Sequence, residues 1–339
     1  MTLKTESVVS SQTKGAIDNK FLTYITNGAT MRRTVGPVLV LILLFVGFTI
    51  LSPSFASATN AINLTRQSSV LLVLAIAGTF PILMGSIDLS IGAVASLAAV
   101  SGAVLLRDHQ TPLVLLLVPL IAAVCGLANG LIIAYGKLPS FLVTLGSMFV
   151  FGGVALYVSG GTPTPVSSLG SLGDIFMGSF IFGLPNLAFF ALGVLAVAWA
   201  FAKWTRFGRF VYAIGGGEGV SALSGVPVKR IKLYTFVLSG TLAGIGGVLL
   251  MLRVQSGSPG IGDPYLLTSI GAIVVGGTPL TGGLGGPQRT LLGVVIMGVL
   301  ANGMSVAMVH PYLQTVITGA VVIAAVALTI DRSRMSVIK

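Results

Sequence analysis

The chain has 339 residues, of which 54% are hydrophobic and only 8% charged, and its formal net charge is +11 at pH 7. A water-soluble domain carries about a quarter charged residues, so a soluble enzyme or binding domain is excluded and the chain must bury its surface in lipid. The basic residues fall between apolar runs rather than in one patch, which argues against a nucleic-acid partner.

Residues 1–33 are polar, have no apolar core and read as a cytoplasmic tail rather than a leader. Ten apolar stretches follow, near 34–52, 62–84, 89–106, 112–135, 140–159, 183–202, 232–252, 265–277, 289–309 and 312–330. Most approach the roughly 20 residues that cross a bilayer as a helix. The runs are too long and too weakly alternating for a barrel, so helices must satisfy the backbone in hydrocarbon. The expected fold is an all-α polytopic membrane protein: one transmembrane domain over 34–330, a short tail over 331–339, both termini cytoplasmic. With that orientation, only Arg66, Arg107 and Arg253 of the basic residues lie outside, beside Asp108, Asp174 and Asp263.

A faint repeat links Leu127-Ala128-Asn129-Gly130 in the fourth span to Leu300-Ala301-Asn302-Gly303 in the ninth. Each is followed by a proline, Pro139 or Pro311, placed where its missing N–H does least harm. An offset of five spans reverses orientation, as in inverted-repeat transporters. Gly126/Gly130 and Gly240/Gly244 sit four apart, a spacing that lets helices approach closely. They serve either packing within one subunit or a seam between two.

Few residues carry chemistry. Asp88 follows Gly85-Ser86 and opens the third span, so it reads either as a helix cap and hinge or as an intramembrane carboxylate with a transport role. His109 and His310 are far apart, without acid or cysteine partners, and no metal site is expected. Cys125 is the only cysteine and reads as a small core residue. Gly136-Lys137 is followed by Leu138, so the phosphate-binding loop pattern is absent and the chain has no evident means of hydrolysing ATP. Three segments mix glycine, proline and threonine at membrane depth: Gly160–Pro165, Ser258–Gly260 and Gly276–Gly283. Broken helices are tolerated where they line a cavity or are buried in protein. The candidate gate or path residues are Asp88, Ser90, Asn129, Gly276, Gly277, Thr278 and Asn302.

The loop from Lys203 to Lys232 is different in kind. Lys203, Arg206, Arg209, Lys229, Arg230 and Lys232 frame it and suit anionic headgroups. Its centre, Gly215–Val226, is small and nearly neutral, and Glu218–Leu223 between glycines fits one or two helical turns that could dock on another protein.

At this point the chain resembles the permease subunits of bacterial ATP-binding-cassette importers for monosaccharides, the ribose-type branch. The likeness rests on Gly78-Thr79-Phe80 through Gly92, on Gly126–Gly130 through Pro139–Gly146 to Pro163, and on Thr205–Arg209 through Tyr212–Gly216 and Leu223–Gly225, then Gly276-Gly277-Thr278 to Asn302-Gly303. The resemblance implies ten spans, a permease pairing with a second copy or a related permease, and a path at the dimer centre in the bacterial inner membrane. It implies cytoplasmic ATPase subunits, which hold ATP and Mg while this chain binds no cofactor, and an outer sugar-binding protein. It implies that Gly215, Gly216, Glu218, Ser221, Ala222, Leu223 and Gly225 meet the ATPase. The chain departs from the family at Gly217, commonly Asn, and at Tyr265-Leu266-Leu267-Thr268, where Tyr-Glu-Leu-Asp is common. The alternatives are an ion-coupled secondary transporter or channel using Asp88, and a membrane enzyme, for which no nucleophile and base are found.

Overall fold

The computed structural model describes residues 28–109, 111–166, 175–176, 178–181 and 183–329. Asp174, most of the predicted first tail and all of the last lie outside the described residues. Among these residues twelve α-helices follow in order: α1 Gly28–Leu51, α2 Ala58–Leu83, α3 Ile91–His109, α4 Val118–Gly136, α5 Ser140–Ser159, α6 Asn186–Trp204, α7 Arg206–Gly216, α8 Glu218–Leu223, α9 Val228–Val254, α10 Asp263–Val275, α11 Pro287–Val306 and α12 Pro311–Thr329. The first described helix thus includes residues 28–33 of the stretch read as tail.

Among the described residues, seven helices are long and apolar enough to cross a membrane: α2, α3, α4 with the 3₁₀ turn that precedes it, α5, α6, α9 and α11. Three shorter apolar helices, Gly36–Leu51, α10 and Pro311–Ala327, coincide with the first, eighth and tenth predicted spans. Helix ends follow local chemistry. The Ser57 side chain accepts from Asn60 N to start α2, while Lys137, Gly160 and Gln255 turn left-handed to stop α4, α5 and α9.

Helix α2 is the centre of the bundle, with 83% of its apolar window buried, against 17% for α5. Helix α9 runs beside it and also packs on α3 and α4. The glycines explain how closely. A Cβ on Gly126 would fall on the Phe236 carbonyl, and one on Gly240 would meet Ala122 O and the Gly126 backbone. The two small-residue pairs therefore face each other across the α4–α9 crossing of one subunit, where each missing side chain lets backbones touch.

Helix packing repeats at the expected offset. Contacts α3–α5, α3–α4, α4–α5, α3–α9 and α4–α9 recur as α10–α12, α10–α11, α11–α12, α10–α2 and α11–α2. The first glycine-rich break meets the residues just before the second: β1 Thr164–Pro165 pairs antiparallel with β4 Ser256–Gly257, Thr164 opposite Gly257. A small hairpin, β2 Ser179–Ile181 with β3 Leu184–Pro185, precedes α6.

Candidate functional site

The polar loop between α6 and α9 folds into α7 and α8. Thr205 caps α7 by accepting from Gly208 N at 3.1 Å. Val211 and Ile214 bury one face of α7, while Arg206 and Arg209 stay exposed on the other. Helix α8 is the single short helix expected at Glu218–Leu223. Ser221 is its buried side, whereas Val220 and Leu223 are 71% and 92% exposed, and Ala222 is exposed beside them. Glu218 pairs with Lys232 at 2.7 Å. Gly225 then turns the chain toward α9 at φ +82°, a conformation that costs a side-chain-bearing residue energy.

Three backbones meet beneath α7. A Cβ on Gly215 would collide with Leu83 O and Gly283 N, and Gly283 N donates to Leu83 O at 2.8 Å. Tyr212 Oη donates to Gly285 O at 2.9 Å. Burial pushes the Tyr212 phenol up, against the opposing pull of the Arg289 charge. Gly276, Gly277 and Thr278 belong to this assembly. Thr278 Oγ1 accepts from Gly286 N at 3.0 Å, Gly277 O accepts from Arg289 at 3.4 Å, and Gly276 packs on the Arg289 carbonyl. The segment 276–286 is thus a strap that ties the end of α7 to the end of α2. Gly216 has open space around its Cα.

The strap leads directly to a buried polar cluster. Helix α2 ends at Leu83, Gly85 turns left-handed at φ +76°, and residues 86–90 run without regular structure to α3. Asp88, 5% exposed, accepts from Ser90 N at 3.0 Å and Ser90 Oγ at 2.6 Å, and from Ser239 Oγ at 2.7 Å. Asn129 donates to Ser90 Oγ at 2.9 Å, and Ser147 donates to Asn129 Oδ1. Thr144 and Ser140 of α5 grip the same segment, accepting from Leu89 N at 3.0 Å and Ile87 N at 3.2 Å. Three predicted residues, Asp88, Ser90 and Asn129, therefore share one cluster. Asp88 does not cap α3 itself. Ser90, whose carbonyl accepts from Val94 N, holds that position, and Asp88 bonds the N–H two residues ahead.

Asn302 stands apart from this cluster. It forms a reciprocal amide pair with Asn60, at 2.8 and 3.0 Å, joining α11 to α2. Cys125 is buried and both histidines are exposed. Among the described residues no group of His, Cys, Asp and Glu could hold a metal ion. Sequence reasoning missed Tyr212, Ser239, Ser147 and Asn60. Their signal was only a polar atom in an apolar or basic stretch, which leaves its partner unspecified.

A family model described as branched-chain amino acid transport system / permease component matches residues 60–326. The chain is 37% identical over 303 residues to the ribose import permease protein RbsC of Bacillus subtilis (strain 168), covering 88% of this chain and 93% of that protein. It is 33% identical over 292 residues to the RbsC of Escherichia coli (strain K12), 85% and 91% of the two chains. It is 36% identical over 326 residues to the galactose/methyl galactoside import permease protein MglC of the same organism, 91% and 95%. With seven long apolar helices, a match across most of its length and these relatives, the chain is a multi-pass membrane transport subunit and belongs to the transport-system permease family that this model describes.

Proposed function

We propose that the chain is the permease subunit of an ATP-binding-cassette importer for a monosaccharide. The sugar class rests on relatives named for ribose and galactose that match along nearly their whole length. The observation that carries the coupling role is α8, a short helix that presents Val220 and Leu223 to the outside while its neighbour α7 is tied to the bundle core through Gly215 and Tyr212. Exposed large apolar side chains on a polar loop mark a docking surface, and a partner ATPase, which holds ATP and Mg, is the occupant.

Force applied at α8 passes through α7 to the backbone junction of Gly215, Leu83 and Gly283, and from Leu83 into the elbow that ends at Asp88. Ligands bias such an element only through different affinities for its two arrangements. The carboxylate of Asp88 is consumed by hydroxyl and backbone donors, which supports the hinge reading over ion coupling. The exposed apolar faces of α5, including Phe149 and Val150, suit a second permease copy. The sugar is captured outside by a binding protein, which fits the scarcity of open polar groups in the spans.

The test is ATP-dependent sugar uptake in vesicles with purified partners, comparing wild type with Glu218→Arg plus Leu223→Asp. The expected result is loss of ATPase binding and uptake while the permease stays folded. Unchanged uptake would remove α8 from the mechanism.

A further inference from the structure

An open cleft of about 550 Å³ lies between the end of α6, the start of α7 and the strap at Gly283–Gly285. Its lining contains two cations, Lys203 and Arg209, and no carboxylate. The ion pairs among the described residues lie elsewhere, at Arg107–Asp108 and Lys232–Glu218. Instead, Lys203 Nζ sits 4.8 Å from the centroid of the Trp199 ring, and Arg209 donates to the Trp204 carbonyl at 3.3 Å. Tyr212 and Gln288 add neutral polar groups to the same walls. Two cations with no counter-charge among the described residues, next to hydrogen-bonding groups, match the chemistry of a phosphate anion.

The span above the cleft identifies where that phosphate comes from. Phe189, Leu192, Ala196, Trp199 and Lys203 recur at intervals of three or four along α6, so they share one face. Phe189, Leu192 and Ala196 on that face are exposed and Trp199 is half-buried. Trp199 and Trp204 pack edge to face with centroids 5.1 Å apart, and tryptophans at the end of a span sit at headgroup level. An apolar stripe therefore runs down the span into a cationic cleft at its end. A soluble phosphate would use the cleft alone; a phospholipid uses both parts. We propose that this is a binding site for an anionic phospholipid, its phosphate between Lys203 and Arg209 and an acyl chain along Phe189, Leu192 and Ala196. The bound lipid would touch α6, α7 and the strap together, and so brace the loop that carries α8.

The experiment reconstitutes the full chain in nanodiscs of phosphatidylcholine containing phosphatidylglycerol and counts retained lipids by native mass spectrometry after extraction. Wild type is expected to retain phosphatidylglycerol over phosphatidylcholine, and Lys203→Gln plus Arg209→Gln to lose that preference roughly 25-fold, since each surface cation contributes about fivefold toward an anionic lipid. The charge-matched control, Lys229→Gln plus Arg230→Gln, is expected to keep it. Equal loss in the control would mean a diffuse basic surface and overturn the site. So would retention by the Lys203/Arg209 variant, or release of phosphatidylglycerol by inorganic phosphate at equal concentration, which would mark a soluble anion. A melting temperature within the wild-type range shows that the variant is folded.

Discussion

Gly215 of α7 lies against the backbone carbonyl of Leu83, at the end of α2, with no space for a single added carbon. The surface-loop helix and the most buried helix of the bundle therefore touch backbone to backbone. Main-chain contact leaves no flexible side chain to absorb displacement, so a push on one is felt by the other.

Gly215→Ala is expected to destabilise the permease by about 1–3 kcal/mol, the usual cost of overpacking, and to lower uptake more than ATPase binding. Gly216→Ala has open space and is expected to lie within about 1 kcal/mol of wild type or above it. Thermal unfolding in detergent compares the two; equal melting temperatures would disprove the close junction.

Leu223→Asp and Glu218→Gln separate the two kinds of contact on α8. The Glu218–Lys232 pair has Glu218 largely exposed, and such pairs contribute up to about 1 kcal/mol. Glu218→Gln should leave folding and ATPase affinity nearly unchanged. Leu223→Asp should weaken ATPase binding about tenfold or more, as for an apolar anchor in an interface, without altering the melting temperature. Titrating the ATPase onto both variants checks this.

Asp88→Ala removes the acceptor for three donors in the cluster, and each buried unsatisfied group costs about 1–3 kcal/mol. Asp88→Asn keeps an acceptor and should cost less. Uptake by the Asn variant should still follow ATP and be indifferent to collapse of the proton gradient. If collapsing the gradient stops wild-type uptake while ATP is present, the hinge assignment of Asp88 is wrong.

Asn60 and Asn302 predict a double-mutant cycle. Each single change to Ala strands one amide of the reciprocal pair at a cost of about 1–3 kcal/mol, whereas the double change strands neither side of that pair. The combined loss of stability should fall short of the summed single losses by more than about 0.5 kcal/mol. Additive losses in chemical denaturation would show that the amides do not act as a pair.

Much was legible along the chain because lipid imposes a one-dimensional code. Long apolar runs mark spans, and Gly215–Val226 stood out as a neutral insert between basic flanks that the structure folds into the end of α7 and the short α8. The Asn129/Asn302 repeat pointed to equivalent spans, and the helix contacts recur at that offset. Even the small-residue pairs could be read as close crossings, although not which helix each one faced.

Which residues meet is set by the folded bundle. Composition places Gly276, Gly277 and Thr278 among gate candidates; the hydrogen bonds of Gly277 and Thr278 and the packing of Gly276 on Arg289 put them in the strap beneath α7. Ser239 reaches Asp88 across 151 residues of chain, and Tyr212 finds a carbonyl 73 residues away. Hydropathy records how far a side chain is from water, and in a membrane protein lipid and protein neighbours are equally apolar. A serine or glycine in a span therefore announces that it needs a partner or a close neighbour, but the partner's identity follows from helix rotation and crossing, which depend on packing of the whole bundle.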